Sequence, residues 1–234
     1  MILLLIRHGL TDVTGKKLTG WLPGFSLSEK GREQALDAGL RLAETPLKAV
    51  YSSPLERCRE TAEAVAEPHS LSVHNVRQLG EVHYGDWQGR TMKALYKSKA
   101  WADLKARPAD FRFPGGETIR EAQTRGITAI EGLRPKHKGQ VVAVCSHADM
   151  IRLIVAGYLG LGLDLYSRIS IAPVSVTALV LENATPHLVR LGDTGSFDGI
   201  GLVKPRKTRR PTGATTTAAP KKTGRVPTVP LEGS

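Results

Sequence analysis

The stretch Ile2-Leu3-Leu4-Leu5-Ile6-Arg7-His8-Gly9 decides how this chain of 234 residues is read. Five apolar residues ahead of a polar break predict a short, fully buried strand, and in open α/β sheets ligands bind outside the carboxyl ends of such strands. The end here is Arg-His-Gly. Arginine fixes an anion through its planar fork, imidazole can serve as acid, base or nucleophile, and glycine lets backbone approach a ligand closely. The tripeptide alone is a weak signal; the strand ends further along the chain give it weight.

Outward from this strand, residues 10 to 27 have no steady period and read as a loop. Ser28 then precedes apolar positions at helical spacing (Ala35, Ala38, Leu42; Leu36, Leu40), which makes it the expected N-cap of a first helix that Pro46 ends. Lys48 to Ser52 is the next strand, followed by Ser53-Pro54 and a helix carrying Arg57, Thr61, Ala62 and Val65. A short third strand is expected over Leu71 to Val76. The segment from Gln78 to Gly89 is turn-rich, and residues 91 to 113 read as a partly helical excursion outside the sheet, placed to cover a site. Pro114-Gly115-Gly116 breaks the chain before a helix over Glu117 to Leu133. Val141 to Ser146 is the clearest buried strand, ending at His147, with a helix through Ile151, Leu153, Ile154 and Tyr158 after it. Ser175 to Leu181 and Pro186 to Leu191 predict two more strands, paired as a hairpin at the sheet edge.

Charge and composition set bounds on partners. The formal net charge of +11 suggests nucleic-acid binding until it is located: Lys204, Arg206, Lys207, Arg209, Arg210, Lys221, Lys222 and Arg225 all lie near the end of the chain, against Glu232 alone. Without that segment the body holds 25 basic and 21 acidic residues, a net +4, which is ordinary for a folded domain. Residues 203 to 234, rich in Pro, Thr and Ala, cannot bury enough surface to offset chain entropy and are expected to be a disordered basic tail on a folded domain of residues 1 to 202. Such a tail could hold nucleic acid or another polyanion weakly. Cys58 and Cys145 show no metal-ligand spacing and are expected to be reduced and packed. The apolar start is too short for a signal-peptide core and the longest later apolar run is broken by Arg152, so no membrane anchor is expected and a cytoplasmic location is.

The chemistry converges at three strand ends: Arg7-His8, Ser52-Ser53 with Arg57 one turn later, and Ser146-His147. In a doubly wound sheet these ends lie side by side, so two arginines and two histidines share one pocket suited to a tetrahedral dianion. An imidazole inside an anion receptor suggests phosphoryl transfer through a phosphohistidine. One ring nitrogen must be unprotonated to attack phosphorus, so the other donates its hydrogen to a backbone carbonyl while the arginines stabilise the transferring oxygens. With no phosphate-cradling loop and no ligand pair at metal spacing, no metal or other cofactor is expected. The leaving oxygen needs a proton, and Leu79 to Gly89 offers two carboxyls, Glu81 and Asp86, between which spacing does not choose; His83 reads as packing or as a contact one layer behind the site.

These residues resemble the histidine phosphatase superfamily, in its phosphoglycerate-mutase-like branch. The pieces that carry the resemblance are Leu5 to Thr11, Leu27 to Ala35, Ser52 to Ala62, Glu81 to Gly89, Pro114-Gly115-Gly116-Glu117 and Val144-Cys145-Ser146-His147, in family order over about residues 1 to 195. The resemblance implies an α/β/α sandwich, three layers around a mostly parallel sheet with one antiparallel edge strand. It implies that His8 carries the phosphoryl group, that Arg7, Arg57 and His147 bind it, and that Glu81 rather than Asp86 is the proton donor. Thr14, Thr19, Gly20 and Tyr84 are expected as pocket-wall contacts to a small phosphorylated substrate. This chain departs from cofactor-dependent mutases at Leu10, Thr14, Val82 and Ala148-Asp149. Val82 stands where mutases carry a basic residue, and losing a charged hydrogen bond to the substrate carboxylate costs about 2 kcal/mol, so a phosphomonoester phosphatase fits better than a mutase or a non-catalytic binding protein. Lys93, Lys97, Lys99, Lys105 and Arg107 give the excursion a basic face, read either as a steering surface for a polyanionic substrate or as a solvated helix face.

Overall fold

The computed structural model describes residues 1–182 and 185–195; the tail expected from residue 203 lies outside the described residues. Its sheet has the order β3-β2-β4-β1-β5-β6, formed by β1 (Ile2–Arg7), β2 (Leu47–Ser52), β3 (Val73–Asn75), β4 (Val141–Ser146), β5 (Val176–Val180) and β6 (His187–Asp193). β1 pairs in parallel with β4, β4 with β2 and β2 with β3, while β5 runs antiparallel to β1 and pairs antiparallel with β6. The antiparallel edge is therefore the expected hairpin.

β1 and β4 are near-continuous apolar runs because both of their faces are covered. Leu3, Leu5, Val142 and Val144 pack with Ile130 and Met150 on one face, under α5 (Ile119–Leu133) and α6 (Ala148–Tyr158). Leu4, Ile6, Ala143 and Cys145 pack with Ala38 and Val65 on the other, under α1 (Glu29–Leu42) and α2 (Glu56–Ala66). Three layers result. Ser28 caps α1 by accepting from the Gly31 N–H, as its position predicts. A capping box of Thr118 and Glu121 starts α5 two residues later than the sequence expectation. The third strand is trimmed to Val73–Asn75, since it lies at the sheet edge and pairs only with Val50, Tyr51 and Ser52. The excursion folds as α3 (Met92–Tyr96) and α4 (Lys99–Ala106). Among the described residues no helix is long and apolar enough to cross a membrane.

Two glycines fasten the loop after β1 to α1. A Cβ on Gly31 would collide with the Leu10 carbonyl oxygen, and one on Gly9 would press on the Gly31 carbonyl. Glycine to alanine inside a helix normally gains up to about 1 kcal/mol. At Gly31 the sign should reverse: the collision involves backbone on both sides, so Gly31→Ala is expected to lose about 2 kcal/mol, the usual scale of overpacking. Gly132 of α5 has open space around it, and Gly132→Ala should gain a few tenths to about 1 kcal/mol. Urea denaturation of the two variants checks the pair of opposite signs.

Candidate active site

The carboxyl ends of β1, β2 and β4 meet where the sheet order places them side by side. His8 follows β1, its N–H donating to the Ser146 carbonyl at 3.0 Å, and the next N–H, that of Gly9, goes to Thr61 Oγ1 of α2 at 3.1 Å. These bonds fix the backbone on both sides of the imidazole. The side chain is set by its own neighbour: Nδ1 lies 2.7 Å from the Gly9 carbonyl oxygen. A carbonyl only accepts, so Nδ1 carries the hydrogen and Nε2 keeps a lone pair. Burial, then the charges of Arg57 and Arg7, hold the His8 pKa well below the usual value, and the ring is neutral at pH 7.

Arg57 enters from the first turn of α2 and is almost wholly buried. Its Nη2 donates to the Gly20 carbonyl at 2.9 Å and to His147 Nδ1 at 3.2 Å, while its Nε and Nη1 have no hydrogen-bond partner within the protein. Arg7 donates from Nη1 to the Ile171 carbonyl at 2.7 Å, and its Nε is likewise unpartnered. Buried guanidinium N–H groups are almost always satisfied, so three that are not, beside an imidazole with a free lone pair, mark a place built for an anion. His147 stands behind this wall. It is fully buried, its ring edge-on to His8 with centroids 5.2 Å apart, and because Arg57 can only donate, His147 Nδ1 accepts and Nε2–H is directed to Ser53 Oγ at 2.8 Å. Cys58 lies 3.3 Å from the same Nε2, and burial pushes its thiol up to about 12, so it stays protonated.

Glu81 faces the imidazole pocket from the loop between β3 and α3. Burial, reinforced by the charge of Asp149, raises its pKa to about 7, against the lowering effects of the Val82 N–H and the two arginines. Its carboxylate Oε1 accepts that N–H at 3.0 Å. The loop itself is held from outside: the Glu81 carbonyl accepts from Trp21 Nε1 and from Arg125 Nη2, and Arg125 also donates to the carbonyls of Gln78 and Gly80 while paired with Glu117 at 2.6 Å. Glu117 in turn accepts the His83 N–H at 2.9 Å. Ser146 Oγ ties the β4 end to the same loop through the Leu79 carbonyl at 2.7 Å.

The two carboxyls that spacing left open are separated by geometry. Glu81 lines the cavity with His8, whereas Asp86 is exposed, in a tight turn that directs it away from the cavity, with its N–H donating to the Pro114 carbonyl. His83 stacks flat on Trp21, with centroids 4.4 Å apart, as packing. The cavity, about 340 Å³, is lined by Arg7, His8, Thr14, Thr19, Gly20, Arg57, Glu81 and Tyr84, so the structure brings the expected residues together; only His147 lies one layer back. The Thr14 hydroxyl closes its own loop, accepting the Thr11 N–H at 2.9 Å. Not anticipated from sequence is a polar chain across the mouth: Tyr84 Oη donates to Asp149 Oδ2 and Arg152 Nη1 to Asp149 Oδ1, both at 2.7 Å. Its signal was an acid and a cation three residues apart, Asp149 and Arg152, in the otherwise apolar α6. The lysines of the excursion are solvated; Lys99 reaches Asp103 at 3.7 Å with its side chain 93% exposed. Such a neutral imidazole, unpartnered guanidinium donors and a carboxyl whose proton is held more tightly than usual can together accept a phosphoryl group and supply a proton to its leaving oxygen.

Residues 3–194 match the histidine phosphatase superfamily (branch 1). A metal-independent phosphoserine phosphatase from Arabidopsis thaliana is 32% identical over 198 residues, covering 82% of this chain and 76% of the relative. A 2,3-bisphosphoglycerate-dependent phosphoglycerate mutase from Thermoplasma acidophilum is 26% identical over 204 residues, 85% of this chain and 96% of the relative. Among solved structures, a mycobacterial glucosyl-3-phosphoglycerate phosphatase superposes with a TM-score of 0.74 at 27% identity, over 82% of this chain and 98% of its own.

Proposed function

The chain belongs to the histidine phosphatase superfamily, and from that premise we propose that it is a metal-independent phosphomonoester phosphatase acting through a phosphohistidine on His8. The observation that carries the reading is the set of unpartnered buried N–H groups of Arg7 and Arg57 around an imidazole whose Nδ1 is committed to the Gly9 carbonyl. In the first step the His8 Nε2 lone pair attacks phosphorus, the ester P–O bond breaks, and the Glu81 carboxyl gives its proton to the departing oxygen. In the second, the Glu81 carboxylate takes a proton from water as the water oxygen attacks phosphorus, the P–N bond breaks, and phosphate leaves with His8 and Glu81 restored. Arg7 and Arg57 bind the equatorial oxygens throughout, and His147 holds Arg57 in place and turns its ring edge to His8.

A phosphatase is favoured over a mutase by Val82, which sits fully buried in the core beside the acid and offers no charge to a substrate carboxylate. Among the described residues no group of three His, Cys, Asp or Glu side chains could hold a metal ion. The test is phosphate release from a panel of small phosphomonoesters, run beside an isomerisation assay on 3-phosphoglycerate, with and without excess chelator. Phosphate release that survives chelation is the expected result; full and reversible loss on chelation would overturn metal independence, and isomerisation outpacing release would make the protein a mutase.

A further inference from the structure

Beside the cavity that holds His8 lies a second and larger one, of about 760 Å³, whose walls are aromatic. The two share Leu18, Tyr84, Met92, Tyr96, Asp149 and Arg152, so they adjoin across a common wall beside the phosphoryl seat. We propose that the alcohol part of the substrate is an uncharged aromatic or extended apolar group that occupies this second cavity while its phosphoryl group sits against His8. The proposal rests on the phosphatase reading and specifies the substrate class within it.

Size is the first argument. A volume of several hundred Å³ is the range that takes up a drug-sized ligand, far beyond what a three-carbon alcohol fills. Chemistry is the second. Trp87, Trp101, Tyr96, Phe113, Leu104 and Met92 form the walls, and Tyr96 keeps 58% of its surface exposed although its ring packs against Trp101. The walls are braced against collapse: Trp101 meets Tyr96 edge-on at 4.8 Å and Trp87 at 5.8 Å, and Trp87 meets Phe113 at 5.2 Å. The third argument is charge. Asp149 and Arg152 neutralise each other, Tyr84 and the Ile169 carbonyl take up further hydrogen bonds of the pair, and Lys105, the remaining charged lining residue, is exposed to solvent. An ionic leaving group would be stripped of water with little in return, whereas an apolar one gains by burial.

The excursion thus has two sides. Lys93, Lys97 and Lys99 are exposed to water and lie outside the cavity lining, Lys105 stands exposed at the cavity, and Met92, Tyr96 and Trp101 line it. Ala102 of α4 also lines it and is exposed, which makes it a site where bulk or charge can be introduced without touching the core or the phosphoryl seat.

The experiment compares kcat/KM for ethyl, butyl, hexyl and 2-(2-naphthyl)ethyl phosphate, whose leaving alcohols are alike in acidity, with phosphoserine and 3-phosphoglycerate alongside. Each added methylene should raise kcat/KM roughly threefold, so hexyl, four methylenes longer, should exceed ethyl phosphate by about 80-fold. Whether the alkyl or the naphthyl ester gains more separates an extended occupant from a planar one. Ala102→Glu and Ala102→Trp should leave ethyl phosphate turnover unchanged and erase most of the gain of the long esters. A flat series, or phosphoserine or 3-phosphoglycerate outrunning hexyl phosphate, would overturn the proposal while leaving phosphatase activity standing. Absence of phosphate release from every ester, p-nitrophenyl phosphate included, would overturn both.

Discussion

Replacing His8 by alanine is expected to lower turnover by roughly 10⁴-fold or more, the scale on which removing a covalent nucleophile acts. The fold should survive, because His8 lies past the end of β1 and belongs to neither apolar core. The wild type should yield an adduct that is labile in acid and stable in base, as a phosphoramidate is, and the variant should yield none. Thermal melts of the two proteins, run with the kinetics, separate a lost nucleophile from a lost fold. Ordinary turnover by His8→Ala would remove the phosphohistidine from the mechanism.

Glu81→Gln should slow alkyl esters by roughly 100-fold or more, within the range of general acid catalysis. Activated aryl esters need little help in departing and should lose much less; equal losses would show that Glu81 does not protonate the leaving group. The raised pKa, about 7, gives a second test. The acid form donates the proton, so kcat/KM on alkyl esters should fall as pH rises through about 7, and the glutamine variant should lack that limb. Stability follows the same linkage. The folded pKa lies above the ordinary 4.5, so the contribution of this group is fully present below about pH 4.5 and is lost as pH rises through about 7, to the extent of about 3 kcal/mol at 1.36 kcal/mol per unit. Urea denaturation should therefore show Glu81→Gln gaining on the wild type between pH 5 and pH 8.

The strand ends were legible because burial on both faces leaves an unmistakable mark: an apolar run that stops at a polar residue, as at Arg7 and Ser146. Once three such ends are placed in a parallel sheet, the meeting of His8, Arg57 and His147 follows from topology. Which of Glu81 and Asp86 lines the cavity did not follow from spacing, since five residues of turn can direct either carboxyl inward; the turn at Gly85 to Trp87 leaves Asp86 exposed and Glu81 in the cavity wall. Arg125 was invisible for a different reason. It is a charged residue in the middle of α5 with nothing nearby in sequence to mark it, and the carbonyls and carboxylate it binds come from residues 78 to 81 and from Glu117, brought to it only by folding. The same holds for the aromatic walls of the second cavity, whose members come from segments with no common period.

The unpartnered N–H groups of Arg7 and Arg57 also bear on how the reaction ends. On the proposed reading they grip a tetrahedral dianion by its peripheral oxygens, the part that an ester shares with free orthophosphate. The same donors would therefore meet what has just been released as well as what is about to be cleaved, and under the proposal above discrimination would fall to the neighbouring aromatic cavity. On that reading orthophosphate is expected to compete with the ester for the seat, raising the apparent KM in steady-state kinetics while leaving kcat unchanged.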